Sequence, residues 1–346
     1  MLDRPDVADE AIAQRVRDEY GLDVRAVEFL ALGADAGAAA FRIECADRVV
    51  FAKLRRGIGN GTDPGAAAES LVALPAFLAE SAGPTRVLGP LRTGDGRLAT
   101  SVVEFGLVLY PFIDGTDGFN TALTTEQWTC LGQALAAVHS VTLPPLLAKG
   151  IRVEDYSPKW RHQLGAYLDK PDHEWPADDV AQELLATLHA RRADLTRILV
   201  RAEELAVLME AAEPVHVLCH GDIHAGNVML AEDGSLFVVD WDNPVLAPRE
   251  RDLMYIGAGI AVWSDAEDFT AFHGGYGPYE PDLAAIAYYR CDRIVEDSAL
   301  FCADILASDQ GGEDRAQNLR YFLDQFRTGS VIDCADAAYE RYIASS

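Results

Sequence analysis

Three polar side chains could together carry out phosphoryl transfer. Asp222 lies five residues before Asn227, and Asp240 follows thirteen residues after Asn227, directly behind the apolar run 236–239. Transfer of phosphate from ATP needs a carboxylate that orients the attacking hydroxyl and accepts its proton, and oxygen ligands that hold Mg²⁺ on the phosphates. The order and spacing match the catalytic and metal loops of kinases. The sequence therefore predicts Asp222 as the catalytic carboxylate and Asn227 and Asp240 as Mg²⁺ ligands.

The segment around Asp222 resembles a family of small-molecule kinases. His-Gly-Asp-Ile-His-Ala-Gly-Asn at 220–227 is similar to the His-Gly-Asp…Asn loop of the aminoglycoside phosphotransferases, which have a protein-kinase-like fold. Protein kinases usually carry Arg after the His and Lys two residues after the Asp. This chain has Gly221 and His224 there, which favours a small-molecule substrate.

Two further segments resemble the spectinomycin phosphotransferases of that family. They are Val-Asp-Trp-Asp-Asn-Pro-Val-Leu-Ala-Pro-Arg-Glu-Arg-Asp-Leu at 239–253 and Tyr-Tyr-Arg-Cys-Asp-Arg-Ile-Val-Glu-Asp at 288–297. The resemblance implies an ATP- and Mg²⁺-dependent enzyme that phosphorylates a hydroxyl of a cationic aminocyclitol or aminoglycoside antibiotic, with spectinomycin the first candidate, and so confers resistance. It extends over 215–300 and, in a weaker form, over 25–140.

Composition and charge limit the class of protein. The chain has 346 residues, enough for two domains or lobes and a large core. It is 49% apolar and 24% charged, which is typical of a soluble globular protein. No apolar run approaches the length of a membrane span, the N-terminal residues do not resemble a signal peptide, and the six cysteines are scattered. We therefore expect reduced thiols, a cytoplasmic location and no membrane partner.

The net charge of −26 bears on possible partners. A field of that sign repels nucleic acid and attracts cations, although an acidic surface can also serve solubility alone. Beside a kinase motif, the charge favours a cationic small molecule as substrate and argues against nucleic acid. The sequence leaves the oligomeric state open.

The pattern of strands and helices predicts an α+β, protein-kinase-like fold with two lobes. An N-terminal lobe over 1–113 carries an antiparallel sheet and binds the nucleotide, and a larger, mainly helical lobe over 114–346 carries the catalytic loop and the substrate. The predicted strands are 26–32, 39–45, 49–54, 98–104 and 107–112, and the predicted helices include 9–20, 66–81 and 178–212.

Lys53 is the predicted ligand of the nucleotide phosphates. It lies in an apolar strand, where an unpaired ammonium is very costly, so it needs a partner or an anion. Glu69, in the first turns of helix 66–81, is the predicted partner, with Glu80 as the other candidate; a first-turn carboxylate is also favoured simply by the helix dipole. The small-residue loop 33–38 before the second strand could cover the phosphates or be an ordinary turn.

The end of the fifth predicted strand is the expected adenine site. Tyr110, Phe112 and Ile113 lie where kinases have their hinge, whose backbone groups bind adenine. Pro111 has no N–H to donate, so the donor is expected at a neighbour such as Ile113. The alternative is a strand end without any ligand.

The substrate side is predicted on the helix around 284–307. A cationic ligand should meet carboxylates beside Asp222, and Glu296 is the predicted contact. Asp297 points about 100° away from Glu296 on a helix, so we expect it to be solvated or paired with Arg293, four residues earlier. The alternative is that both acids belong to an exposed acidic face.

Other interpretations of the motif remain. His220, Asp222 and His224 would share one face of a strand and could bind zinc or iron. Kinases of choline, homoserine or a sugar, and a non-catalytic kinase-fold binding protein, are the alternatives to an antibiotic kinase. We also expect Asp252 to anchor the catalytic loop through backbone N–H groups, and Asp242 to cap its own turn.

Overall fold

The computed structural model of the protein describes residues 2–32, 37–56, 63–81, 83–257, 266–307 and 312–345. Most of the small-residue loop 33–38 lies outside these ranges. The chain divides into two compact units: the first comprises Met1–Ile151 and Gly226–Asn243, the second Arg152–Ala225 and Pro244–Ser346. The division into lobes 1–113 and 114–346 stays a prediction.

Strands and helices follow the chain in this order within the described ranges. The strands are β1 (Val24–Leu30), β2 (Ala38–Cys45), β3 (Val49–Arg56), β4 (Thr100–Val102), β5 (Phe105–Pro111), β6 (Gly115–Asp117), β7 (Arg152–Val153), β8 (Val217–Cys219), β9 (Val228–Ala231), β10 (Leu236–Val238) and β11 (Val245–Ala247). The helices are α1 (Asp9–Tyr20), α2 (Pro64–Glu80), α3 (Thr125–His139), α4 (Pro145–Gly150), α5 (Lys159–Leu168), α6 (Asp179–Ala212), α7 (Glu250–Leu253), α8 (Ala266–Tyr276), α9 (Leu283–Ala307), α10 (Glu313–Asp324) and α11 (Val331–Ser345).

The first unit contains a five-stranded antiparallel sheet in the order β1-β2-β3-β5-β4. Along its strands, buried apolar side chains alternate with more exposed ones. Phe41, Ile43 and Leu54 are fully buried and pack in one cluster with Ile12 of α1. This alternation is what a half-buried antiparallel sheet requires. In the register of the sheet, Lys53 lies opposite Ala40 of β2 and Val108 of β5, so the central strand β3 carries the predicted phosphate ligand.

Helix α2 packs directly on β5. It begins with Asp63, whose carboxylate accepts the Ala66 N–H at 2.9 Å, followed by Pro64 in the first turn. At the contact with β5, a Cβ on Gly106 would lie 2.5 Å from the Pro64 carbonyl oxygen, so only glycine allows this close approach. The packing sets the position of Glu69 in the second turn of α2.

A second, three-stranded sheet of the first unit has the order β10-β9-β6. Its strands β9 and β10 form an antiparallel pair in which Val228 lies opposite Val238. Helix α3 begins with a capping box, because Thr124 accepts the Gln127 N–H and the Gln127 side chain accepts the Thr124 N–H. These short strands hold the two ends of the predicted metal loop.

The second unit is mainly helical and is built around α9. This helix packs against α5, α6, α7, α10 and α11. Its buried residues Cys291, Val295, Ala299 and Cys302 recur at helical spacing and meet the apolar faces of its neighbours. A small sheet in the order β7-β11-β8 lies in the same unit and leads into the predicted catalytic loop.

The predicted α+β class, with an N-terminal antiparallel sheet and a helical C-terminal part, is confirmed. Along the described ranges, no helix is both long and apolar enough to cross a membrane.

Candidate active site

The loop that carries Asp222 is held through its backbone. It leaves β8 at Cys219, and the carboxylate of Asp252 accepts the N–H groups of His220 and Gly221, both at 2.8 Å. Asp252 is fully buried. Gly221 has φ of 83°, a left-handed conformation that glycine adopts without strain. The expected anchoring role of Asp252 is therefore present in the structure.

Asp222 itself is held by two donors from the second unit. The Tyr255 hydroxyl donates to its Oδ1 at 3.1 Å, and Nη1 of Arg293 donates to the same oxygen at 2.8 Å. Burial raises the pKa of the Asp222 carboxyl. Arg293, His224 and His220 together lower it by more than burial raises it, so the net pKa lies well below its ordinary value. The carboxylate is therefore ionised at neutral pH.

The zinc interpretation loses its structural basis. Strand β8 ends at Cys219, so His220, Asp222 and His224 do not alternate along one strand face. Nδ1 of His220 accepts the Asp222 backbone N–H at 3.2 Å. Because this nitrogen accepts a backbone N–H of the loop, His220 helps to hold the loop in place.

The two predicted Mg²⁺ ligands lie at adjoining ends of a strand pair in the first unit. Asn227 directly precedes β9, and Asp240 lies two residues after the end of β10. The Val239 N–H donates to the Asn227 carbonyl at 3.0 Å, which brings the two segments together. Asp240 has φ of 63°, a left-handed conformation that Asp tolerates better than most residues. A carboxylate and an amide oxygen are suitable donors for Mg²⁺, so these residues fit the ion.

Lys53 pairs with two carboxylates of that same segment. Its Nζ lies 2.8 Å from Oδ1 of Asp240 and 2.6 Å from Oδ2 of Asp242, and Arg55 also pairs with Asp242. Burial lowers the pKa of the Lys53 ammonium, but the two carboxylates raise it, and the net pKa is above its ordinary value. Lys53 is therefore a charged cation beside the predicted metal ligand.

The prediction that Lys53 pairs with Glu69 is wrong. The Glu69 carboxylate accepts the Leu98 N–H at 3.2 Å, while Lys53 reaches the acids behind β10. Asp242 was expected to cap its own turn and instead forms ion pairs with the cations of β3. The sequence signal that could have found this pair is a second carboxylate, Asp242, two residues after the predicted metal ligand, together with a lysine in an apolar strand.

The predicted adenine residues lie at the end of β5 and just after it. Tyr110 lies opposite Phe51 in the sheet, and β5 ends at Pro111, so Phe112 and Ile113 follow the strand. Burial, and then the nearby Asp242 and Asp240, raise the pKa of the Tyr110 hydroxyl well above its ordinary value. Tyr110 is therefore neutral. The contact of these residues with adenine stays a prediction.

Charged side chains of α9 surround Arg251 and Arg293 in the second unit. Nε of Arg293 donates to Asp297 at 2.8 Å, which is the expected pair four residues apart. Glu296 lies 3.7 Å from Nη2 of the buried Arg251, and burial raises the pKa of Asp292 to about 6. Glu296 and Asp297 thus have separate arginine partners, and neither belongs to a freely exposed acidic face.

An antiparallel sheet in the first unit and a mainly helical second unit are the architecture of the small-molecule phosphotransferases. The sequence model of the Phosphotransferase enzyme family matches residues 24–289, and the chain belongs to this family.

Among solved structures, spectinomycin phosphotransferase in complex with ADP and spectinomycin is similar, with a TM-score of 0.87, 30% identity, and coverage of 97% of this chain and 100% of that one. A microcompartment-associated aminopropanol kinase shares the fold, with a TM-score of 0.60, 18% identity, and coverage of 97% and 98%. Protein StrN of Streptomyces griseus is 26% identical over 255 residues, which is 70% of this chain and 73% of StrN.

Proposed function

We propose that this protein is an ATP-dependent O-phosphotransferase of spectinomycin or a closely related aminocyclitol. The observation that carries the proposal is the similarity to spectinomycin phosphotransferase at 30% identity, with a TM-score of 0.87 over nearly the whole chain. The fold by itself does not decide the substrate, because the aminopropanol kinase has it as well. We place the reaction in the cytoplasm, where ATP is available, and antibiotic resistance is the physiological role.

The proposed reaction assigns one task to each charged group. The substrate hydroxyl oxygen attacks the γ-phosphorus of ATP, the bond from that phosphorus to the β,γ-bridging oxygen breaks, and ADP leaves. Asp222 orients the hydroxyl and takes its proton, and Lys53 holds the α- and β-phosphates. Asn227 and Asp240 would hold Mg²⁺, which when bound neutralises charge on the phosphates. The sequence spacing of these residues supports their action in one reaction.

The charges of the second unit support a cationic substrate. Asp222, Asp292, Glu296 and Asp297 contribute four carboxylates, and the arginines that pair with them are Arg161, Arg251 and Arg293. The excess of negative charge favours protonated amines of a ligand. At 3.7 Å from Arg251, Glu296 is beyond hydrogen-bond distance and keeps acceptor capacity for an amine. Glu296 is therefore the proposed contact with the antibiotic.

A coupled ADP-release assay tests the substrate. We expect spectinomycin to support turnover and kanamycin and choline to give little. If choline alone supports ADP release, the antibiotic proposal fails while the kinase assignment survives. If no alcohol supports turnover but ligands bind, the non-catalytic alternative holds.

Two substitutions test the roles in this reaction. Asp222→Asn should lower kcat by about 10²–10⁴-fold while nucleotide binding persists. Asp233→Asn, at an exposed turn, is the matched control and should change nothing. Glu296→Gln should raise KM for spectinomycin more than KM for ATP, and equal effects on both would argue against the proposed contact.

A further inference from the structure

Arg293 connects α9 to the proposed catalytic carboxylate. One edge of its guanidinium donates from Nε to Asp297 at 2.8 Å, and Nη1 donates to Oδ1 of Asp222, also at 2.8 Å. Nη1 lies 3.0 Å from the Tyr255 hydroxyl, which itself donates to Oδ1 of Asp222. Asp297 thus fixes the rotation of the guanidinium, and the guanidinium with Tyr255 fixes one oxygen of Asp222.

The geometry requires an arginine. Its planar fork can serve two carboxylates from two edges at once, while a lysine ammonium is a compact charge without fixed edges. The Arg293 side chain is 21% exposed, and the side chains of Asp222 and Asp297 are 26% and 28% exposed. Because these side chains are partly buried, the attraction between the guanidinium and the two carboxylates is only weakly screened by solvent.

We propose that Arg293 is a positioning residue for Asp222: it holds Oδ1 in one orientation and keeps the carboxylate ionised while the substrate hydroxyl is bound. The inference rests on the proposed function, because positioning matters only if Asp222 receives the hydroxyl. During transfer the proton leaves the hydroxyl oxygen for Asp222, the new bond forms from that oxygen to the γ-phosphorus, and the electrons of the broken bond stay on ADP.

The effect of losing Arg293 follows from the balance of charges around Asp222. Burial is the largest influence on the pKa of this carboxyl and raises it; Arg293 is the largest of those that lower it. Asp297, which touches the same guanidinium, has a raised pKa because burial dominates there. The titratable or charged groups around Asp222 and Arg293 include, within the described part of the chain, His220, His224, Arg251, Tyr255, Glu296 and Asp297.

The test is the pH profile of kcat for Arg293→Met with saturating antibiotic and MgATP. We expect kcat at pH 7 to fall by about 10- to 100-fold, and the acid limb of the profile to move to higher pH than in the wild type, because loss of the guanidinium raises the pKa of Asp222. KM for ATP should stay within about twofold. Asp292, with a pKa of about 6, titrates in both proteins and therefore does not contribute to the difference between the two profiles. Asp297 also loses the guanidinium, so Asp297→Asn is measured in both backgrounds to separate its titration from that of Asp222.

Two further variants separate charge from geometry. Arg293→Lys should restore the wild-type profile on the acid side but leave kcat about 5- to 10-fold low, because the ammonium lacks the fork. Arg201→Met is the matched control: Arg201 pairs with Asp336, its side chain is 17% exposed, and it lies in the same unit. It should affect folding stability but neither kcat nor the pH profile.

The outcomes are distinguishable. If none of the alcohols tested supports ADP release by the wild-type protein, the proposed function itself is contradicted. An active wild type together with unchanged kcat and profile in Arg293→Met overturns the positioning role. A rise of kcat/KM in that variant also overturns it, because the guanidinium would then obstruct the substrate. If Arg293→Met does not fold, wild-type kcat in both Arg293→Lys and Tyr255→Phe overturns the inference.

Discussion

Asp252→Asn should lower the free energy of unfolding and the turnover number together. In the wild type, each Asp252 oxygen accepts one backbone N–H, from His220 and from Gly221, at 2.8 Å. The asparagine keeps one acceptor, and its amide NH₂ faces the second N–H. A hydrogen bond to a charged group is worth about 1.5–3 kcal/mol, and a buried donor without a partner costs about 1–3 kcal/mol. We therefore expect a loss of roughly 3–5 kcal/mol.

The assay is urea unfolding followed by tryptophan fluorescence, because Trp160 and Trp175 lie in the same unit as Asp252. A lower transition midpoint at constant slope reports the lost stability. Turnover should fall by about 10- to 100-fold, since the loop no longer holds Asp222 in place. KM for ATP should change little, because no nucleotide contact is assigned to this loop backbone.

Asp282→Asn is the matched control for the same chemical change. Asp282 is exposed and accepts the Ala285 N–H at the start of α9, a position where asparagine caps as well as aspartate. Asp282→Asn should therefore leave both the free energy of unfolding and the turnover number unchanged. If Asp252→Asn also keeps its free energy of unfolding within about 0.5 kcal/mol, the two short hydrogen bonds do not anchor the loop.

Three further predictions concern the nucleotide, the metal and pH. Lys53→Ala should raise KM for ATP about tenfold or more, while Glu69→Gln should stay within about twofold, because Glu69 accepts the Leu98 N–H and not the lysine. Asp240→Ala should abolish transfer in a coupled assay, whereas Asn227→Ala should only raise the Mg²⁺ concentration required. Above pH 6, Asp292→Asn should raise the free energy of unfolding in urea by roughly 2–3 kcal/mol relative to wild type. Near pH 4 it should not.

The sign for Asp292 follows from its pKa of about 6 in the folded protein against an ordinary value of 3.8. The folded state binds this proton more tightly, so its contribution to stability is complete below pH 3.8 and is lost as the pH rises through 6. If the free energies of unfolding of Asp292→Asn and wild type differ by the same amount at every pH from 4 to 8, this prediction is contradicted. Equal damage from Glu69→Gln and Lys53→Ala would restore the lysine–glutamate pair, and copurified stoichiometric zinc would favour the metal-site alternative.

Features that are local in the chain were predictable. The Thr124 capping box, the Arg293–Asp297 pair and the helix 178–212 depend on hydrogen bonds and spacings within one helix, which the helical repeat dictates. The anchor at Asp252 came from its place in a motif that resembles a family. Its two N–H partners lie about thirty residues earlier, and only the folded chain gives their distances.

The partners of Lys53 and Asp222 were decided by tertiary structure. The sequence showed that a lysine in an apolar strand needs an anion, and Glu69 was preferred to Glu80 among the glutamates of the helix that follows. Asp240 and Asp242 lie 187 and 189 residues away and reach Lys53 only because β9 and β10 pair and the chain turns behind them. Arg293 similarly lies 71 residues from Asp222.

Residue types and spacing by themselves therefore determined the kind of chemistry, the helices and the anchoring acid, since each depends on short-range geometry or on a motif. The pairing of charges across the folded chain depends on which buried groups the packing brings within hydrogen-bond distance. Burial makes every unpaired charge costly, so packing selects one partner among several of suitable type. Only the folded protein made that selection, for Lys53 as for Asp222.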